Sequence, residues 1–313
     1  MRASVIWNLA RSLPDAYAAR GRLARWMASF PEDAGVREHV MRDLLGPKRM
    51  KLPYLELSGL MIFDMAFGAG GCSNARVRFG ELAAILGSSM DMADDVVDLV
   101  ETSAEGRAEF LQRLLATAIS GQTYEDVRTP HRAAYAMMRH LHVDLLSRDP
   151  ERIKPVFGRL VDVNIRQSGE HDPEVLLELE VEAGALIVES VAVLLELDQG
   201  ICFPLVRETC RRIGAFGQLF DNWRDLEQDL AEGVNTLGTV LIRRYGDTPG
   251  VRREIAMRYC ERIDELIAKL PHFDDPVSEA GSATMTSLLQ FKYRKQTRAV
   301  KHAGRSVRLP RAM

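Results

Sequence analysis

The sequence predicts an all-α fold, and three observations carry that reading. Apolar residues recur at spacings of three and four along most of the 313-residue chain, the period of a helix with one buried face. Strict apolar–polar alternation bounded by Asn-Gly or Asp-Gly hairpin turns is missing, so half-buried strands have no signature. The periodic runs are separated by turn signals: Gly68 to Gly71, Thr129-Pro130, Asp149-Pro150, Asp172-Pro173, Gly246 to Gly250 and His272 to Pro276.

The elements follow in order. Pro31 with Glu32 and Asp33 opens the first helix, with proline at a tolerated first-turn position and acids at the positive end of the dipole, and Gly46 closes it. The next runs, 53–67 and 77–101, lie either side of the glycine turn, and periodicity places another at 106–120. Proline-marked breaks bound 130–147, 151–168 and 174–196. Helices over 204–230, 235–245, 250–269 and 280–301 complete the chain. No break is long enough to be a linker, and no repeat or low-complexity tract interrupts the pattern. One helical domain over 1–303 is expected, followed by a short flexible tail, 304–313, containing Gly304 and Pro310 among basic residues.

Hydrophobic residues make up 46% and charged residues 27%, which excludes a disordered or disulfide-scaffold chain. The net charge of −3 does not suit a nucleic-acid binder, but it is unevenly spread. Residues 292–313 hold eight Lys/Arg and no acid, leaving 33 basic against 44 acidic residues elsewhere. That tail is a candidate for peripheral contact with an anionic membrane. Cys72, Cys202, Cys210 and Cys260 form no C-x-x-C pair, so zinc-knuckle and redox motifs are excluded and a reducing compartment is expected. With no targeting h-region and no uninterrupted apolar span, the expectation is a soluble, cytoplasmic protein.

The informative chemistry lies in two acidic segments. In Met90-Asp-Met-Ala-Asp94-Asp95-Val-Val-Asp98, Asp94 and Asp98 are four apart on one helical face, with Asp95 beside them. In Gln218-Leu-Phe-Asp221-Asn-Trp-Arg224-Asp225-Leu-Glu-Gln-Asp229, carboxylates stand at i, i+4 and i+8. Like charges four apart repel, so such a stripe needs solvent or a cation. Both stripes are embedded in apolar helices, an arrangement that suits carboxylates facing each other across a bundle interior. Oxygen-only ligands point to a hard cation, Mg²⁺ above all. The seven histidines form no ligand pair, and G-x-S-x-G, Walker and G-x-G-x-x-G patterns are missing.

At these residues the chain resembles the class I isoprenoid synthases, and within them the trans-polyprenyl diphosphate synthases. Asp94 to Asp98, DDVVD, is similar to that family's D-D-x-x-D motif, and Gln218 to Asp225, QLFDNWRD, resembles its Q-x-x-D-D-x-x-D. Gly46 to Pro53 looks like the G-G-K-R-x-R-P segment that grips isopentenyl diphosphate, and Asp229 to Leu237 looks like D-L-x-x-G-K-x-T-L-P. The resemblance covers about residues 46 to 240. It implies Mg²⁺, three ions with the substrate diphosphate, held by Asp94, Asp95, Asp98, Asp221, Asp225 and Asp229. It further implies diphosphate contacts from Lys48, Arg49, Lys51, Arg166, Gln218 and Arg224, and a homodimer. The implied reaction is ionisation of an allylic prenyl diphosphate in an apolar pocket, for which Phe63, Phe67, Phe216, Phe220 and Trp223 are candidate walls.

Departures from the pattern choose among the family's chemistries. No Arg-Arg-Gly follows the first motif, Glu182-Ala183-Gly184 stands where Lys-Thr-Gly is usual, and Val234 replaces a lysine. Losing cations weighs most on a reaction that must grip two diphosphates. The resemblance therefore implies a terpene synthase that cyclises or eliminates. The alternatives are a transferase adding isopentenyl diphosphate, head-to-head coupling suggested by Arg224-Asp225, and a non-catalytic partner subunit. Small Ser88 and Ser89 before the first motif imply a deep pocket for chains of C15 or longer.

Overall fold

The pairs Asp149-Pro150, Asp172-Pro173 and Thr248-Pro249 start helices because the first side chain accepts an amide proton from the opening turn, and the proline takes a position whose N–H has no intrahelical partner. Asp149 accepts from the Arg152 N–H, Asp172 from the Glu174 and Val175 N–H groups, and Thr248 from the Val251 N–H. Asp33 does the same without an adjacent described proline: its Oδ1 accepts from the Val36 N–H at 3.0 Å. The acid expected in the first turn is thus the cap, and the helix begins one residue later. Pro31 and Gly46 lie outside the described residues.

The computed structural model describes residues 6–7, 9–16, 30, 32–45, 51–101, 103–125 and 128–305. Among these there is no strand. The helices are α1 (Ala34–Leu45), α2 (Lys51–Phe67), α3 (Ser73–Asp95), α4 (Ala104–Ser120), α5 (Thr129–Asp144), α6 (Pro150–Gly169), α7 (Pro173–Gln199), α8 (Pro204–Arg224), α9 (Leu226–Glu232), α10 (Leu237–Tyr245), α11 (Pro249–Ala268) and α12 (Pro276–Arg305). The last runs two residues past the expected end of the domain; the rest of the basic tail, 306–313, is outside the described residues.

Two expected helices change character at the acidic segments. The run predicted over 77–101 ends as a π turn, Val96–Val100, closed by a hydrogen bond of 2.9 Å from the Glu101 N–H to the Val96 carbonyl, five residues back. The run predicted over 204–230 is interrupted at Asp225, where φ −96° and ψ 14° separate α8 from α9. The Asp225 and Asp229 N–H groups still bond to the Asp221 and Asp225 carbonyls, so the three acids remain one turn apart.

Helix α7 is the axis of the bundle, packed against α3, α6, α8 and α10. Its contact with α8 is backbone to backbone. A Cβ at Gly184 or at Gly214 would collide with the other glycine's carbonyl oxygen, so only glycine permits the crossing. One apolar core fills the space among α2 to α7, and a second surrounds Phe216, Phe220 and Tyr259 between α8, α10 and α11. On the far side, buried Asp64 of α2 accepts from Arg76 Nε at 2.8 Å and from Arg11 at 2.5 Å, tying the helical segment 9–16 to the bundle. All four cysteines are free thiols, and among the described residues no helix is long and apolar enough to cross a membrane.

Candidate active site

Helices α3, α6 and α8 all end at one cavity of about 440 Å³. The carbonyl ends of helices carry partial negative charge, and the side chains add to it. Eight carboxylates line the cavity: Asp91, Asp94, Asp95, Asp98, Asp221, Asp225, Asp229 and Glu232. Only Arg107 and Arg224 oppose them among the lining residues, an excess of six negative charges. All six aspartates expected from the sequence are therefore brought to one place.

The two stripes also feel each other. Burial pushes Asp229 up to about 7, with the charges of Asp225, Asp98 and Glu232 adding to the effect. Asp98 is pushed up to about 6, by burial first and by Glu232 and Asp95 further, while Arg107 works the other way. Burial is the first cause of both shifts and like charge adds to it, and a cation bound there would oppose both. Among the described residues no three His, Cys, Asp or Glu side chains converge on one point. The donor set nevertheless fits a hard divalent cation, which binds through one or two carboxylates and takes its remaining oxygens from water and a phosphate-bearing ligand.

The expected diphosphate contacts divide. Gln218 lines the cavity and donates from Nε2 to Asn222 Oδ1 at 2.8 Å. Arg224 lines it too, but its guanidinium is shared between Asp221, at 2.7 Å, and Asp225, with Nε to Oδ1 at 2.8 Å. Arg166 is exposed, whereas Asn164, Gln167 and Ser168 of the same helix line the cavity. Lys48 and Arg49, and the side chain of Lys51, lie outside the described residues.

Residues the sequence reading passed over complete the walls. Asp91 extends the first stripe by one helical turn and Glu232 the second, both visible as carboxylates three residues from an expected one. Arg107 enters from the first turn of α4, its Nε bonded to the Glu101 carbonyl at 3.1 Å. The loop Val234 to Thr236 forms the far wall, held by reciprocal bonds: Gln167 Nε2 to the Asn235 carbonyl at 3.2 Å, and Asn235 Nδ2 to the Gln167 carbonyl at 2.9 Å. No spacing marks Arg107 in the sequence, whereas the loop belongs to the Asp229 to Leu237 segment that the resemblance singles out.

Behind Asp94 the cavity adjoins a second, apolar one of about 80 Å³, walled by Met90, Ala93, Leu114, Ala118, Phe157 and Val161 among others. Asp94, Val97, Asn164 and Ile187 belong to both. The aromatic residues expected as walls pack elsewhere. Phe63 lies against Phe67 and Phe79, and Phe216, Phe220 and Trp223 surround Tyr293 at 5.8 to 6.4 Å between ring centres. The aromatic ring at the hole is Phe157 instead. Ser88 and Ser89 are fully buried, and Ser88 turns back to the Ala84 carbonyl at 2.7 Å; Met90 and Ala93 are the residues of α3 that face the hole ahead of Asp94.

No family model and no curated protein matches this chain. Among solved structures it is similar to the crystal structure of geranylgeranyl pyrophosphate synthase from Corynebacterium glutamicum complexed with isoprenyl diphosphate and magnesium. The TM-score is 0.51 at 14% identity, over 87% of this chain and 98% of that one. The fold is that of an isoprenyl diphosphate synthase. At this identity the likeness extends to the helical architecture, and the chemistry rests on the residues in the cavity.

Proposed function

We propose that the protein ionises an allylic prenyl diphosphate in the presence of Mg²⁺. The observation that carries this reading is the direct junction of an acidic cavity with an apolar hole at Asp94 and Val97. A ligand filling both would need a densely anionic head with its own divalent cations and a water-shunning tail. Prenyl diphosphates have that construction, and the solved neighbour was crystallised with one of them and with magnesium.

The residues divide the work. Asp94, Asp95 and Asp98 on one wall, with Asp221, Asp225 and Asp229 on the other, would hold Mg²⁺ against the diphosphate oxygens, with Gln218 and Arg224 beside them. Bound there, the ions supply Lewis acidity toward the leaving group. The allylic C–O bond breaks with its electron pair going to the diphosphate. Ala93, Val97, Leu114 and Phe157 would keep water from the allylic cation, and an aromatic ring in such a wall suits a cation better than an aliphatic side chain does. Loss of a proton from that cation to the released diphosphate, directly or after ring closure, then gives a hydrocarbon.

A one-substrate terpene synthase accords best with the cations among the described residues, outside which Lys48, Arg49 and the Lys51 side chain lie. Two arginines line the cavity among the described residues, and Arg224 is already engaged by Asp221 and Asp225. Glu182, where the resemblance calls for a lysine, is absent from the cavity wall and pairs with Arg159 and with Arg211, the latter at 2.8 Å. The decisive experiment is incubation with Mg²⁺ and C10, C15 and C20 allylic diphosphates, with and without isopentenyl diphosphate, read by mass spectrometry. A hydrocarbon or terpene alcohol from an allylic diphosphate alone is expected. A longer diphosphate formed only with isopentenyl diphosphate would make the protein a transferase, and no consumption under any condition would refute the proposed chemistry.

A further inference from the structure

Glu180 sits two turns into α7 with no solvent exposure, a costly place for a carboxyl group unless it is paired. Its Oε1 accepts from the Leu237 N–H at 2.6 Å. Leu237 is the first residue of α10, whose opening amides have no intrahelical partner. The Asn222 amide and the Tyr259 hydroxyl lie against the same carboxyl group, and the Gly238 amide lies beside that hydroxyl. Glu180 Oε2, Asn222 Nδ2 and Tyr259 OH are all buried without a partner at ordinary hydrogen-bond geometry. One acceptor and two donors from three helices thus face one another and are each other's available partners.

The cluster meets the cavity at two points, and Asn222 itself lines it. Asn222 adjoins Asp221 in sequence and accepts the hydrogen bond from Gln218, so its side-chain orientation sets that of a cavity residue. Leu237 follows Val234, Asn235 and Thr236, which form the far wall. Thr236 caps α10 through a reciprocal pair with Thr239, so the loop and the start of the helix move as one body. We infer that Glu180 is a positioning residue for the acidic cavity: it anchors Asn222 and the start of α10 to α7, fixing the second stripe and the loop 234–236 at one distance from the first. The inference rests on the proposed function, since what it positions is the Mg²⁺–diphosphate site.

The test uses the full chain and inorganic pyrophosphate as probe. Calorimetry measures binding of pyrophosphate with Mg²⁺ to wild type, Glu180→Gln, Glu180→Leu and Tyr259→Phe, and hydrogen exchange follows the Leu237 amide. Gln keeps the shape and the acceptor for that amide, so its affinity is expected within threefold of wild type. Leu keeps the bulk without the acceptor, and is expected to weaken binding tenfold or more and to speed Leu237 exchange by a similar factor. Leu binding as tightly as wild type despite faster exchange would reduce Glu180 to a structural role and overturn the inference, as would Gln failing as badly as Leu. Should the Leu variant lose its helical circular dichroism, Tyr259→Phe decides: weaker binding by threefold or more supports the inference, and unchanged binding overturns it. Wild type that binds no Mg²⁺–pyrophosphate at all would instead refute the functional reading, and the inference with it.

Discussion

Asp98, on the π turn that follows α3, lies close enough to Asp229 of α9 for its negative charge to raise the proton affinity of Asp229 across the cavity. The two residues are 131 positions apart in the chain. Their confrontation is enforced by helix ends that bring further partial negative charge to the same place, so the folded protein stores repulsion that a divalent cation would relieve.

Mg²⁺ is therefore expected to stabilise the fold. Anything that binds the native state alone raises its melting temperature with ligand concentration. At pH 8, adding millimolar Mg²⁺ to EDTA-treated protein should raise the melting temperature by several degrees, whereas Na⁺ at equal ionic strength should do much less. Differential scanning fluorimetry checks this, and equal effects of the two salts would count against an ion site.

Asp94→Ala and Asp225→Ala should each lower turnover of the allylic diphosphate by a hundredfold or more. Both side chains lie on the cavity wall and neither is buried in the core, so helical content by circular dichroism should persist. Wild-type-like turnover in either variant would remove that aspartate from the site.

Glu180 gives the fold a pH dependence with a defined sign. Burial pushes its carboxyl group up to about 7 from an ordinary 4.5. The folded chain then holds this proton more tightly than the unfolded chain does, so stability falls as pH rises from 4.5 to 7 and levels off above. For a shift of that size the loss is about 3 kcal/mol. Asp98 and Asp229, raised to about 6 and about 7, add a fall of the same sign in both proteins, so between pH 5 and pH 8 urea unfolding should show a fall that is smaller in Glu180→Gln by most of Glu180's own contribution. Parallel pH profiles for the two proteins would show that Glu180 is not its source.

How far the sequence disclosed the site follows from where the information lay. The aspartates were legible because helical spacing is local: 94 and 98, or 221, 225 and 229, share a face whatever surrounds them. Asp-Pro and Thr-Pro pairs marked helix starts for an equally local reason. The walls were not legible in this way. Arg107, Asn164 and Gln167 reach the cavity because α4 and α6 pack where they do, and no spacing within those helices reveals it. The aromatic residues were misassigned because large apolar side chains suit a core as well as a pocket. Phe63, Phe216 and Phe220 went to the core, while small Ala93 and Ala118, without any chemical signature, shape the hole. The π turn at Val96–Val100 and the interruption at Asp225 likewise altered helices whose apolar periodicity gave no sign of either.

The glycine crossing offers a test of how tightly the site depends on packing. Gly214 and Gly184 hold the α7 and α8 backbones in contact, and Gly184 also packs against the Cβ of Gln218. Gly214→Ala inserts one methyl group where a carbonyl oxygen already stands. Overpacking of this kind costs about 1–3 kcal/mol when neighbours can shift, and here the obstacle is backbone, so the upper end is expected. Separating the helices would displace Gln218 and Asp221, which sit one and two turns beyond the crossing on α8, relative to the first stripe. Gly214→Ala should therefore lose stability in urea and, where still folded, should also need more Mg²⁺ for half-maximal turnover. Gly217→Ala, on the same helix with its nearest neighbour 4.0 Å away, serves as the control: it should keep or gain stability, since alanine suits a helix interior better than glycine, and should leave the Mg²⁺ requirement unchanged. Loss of stability in Gly214→Ala with an unchanged Mg²⁺ requirement would show that the crossing supports the fold without setting the distance between the stripes.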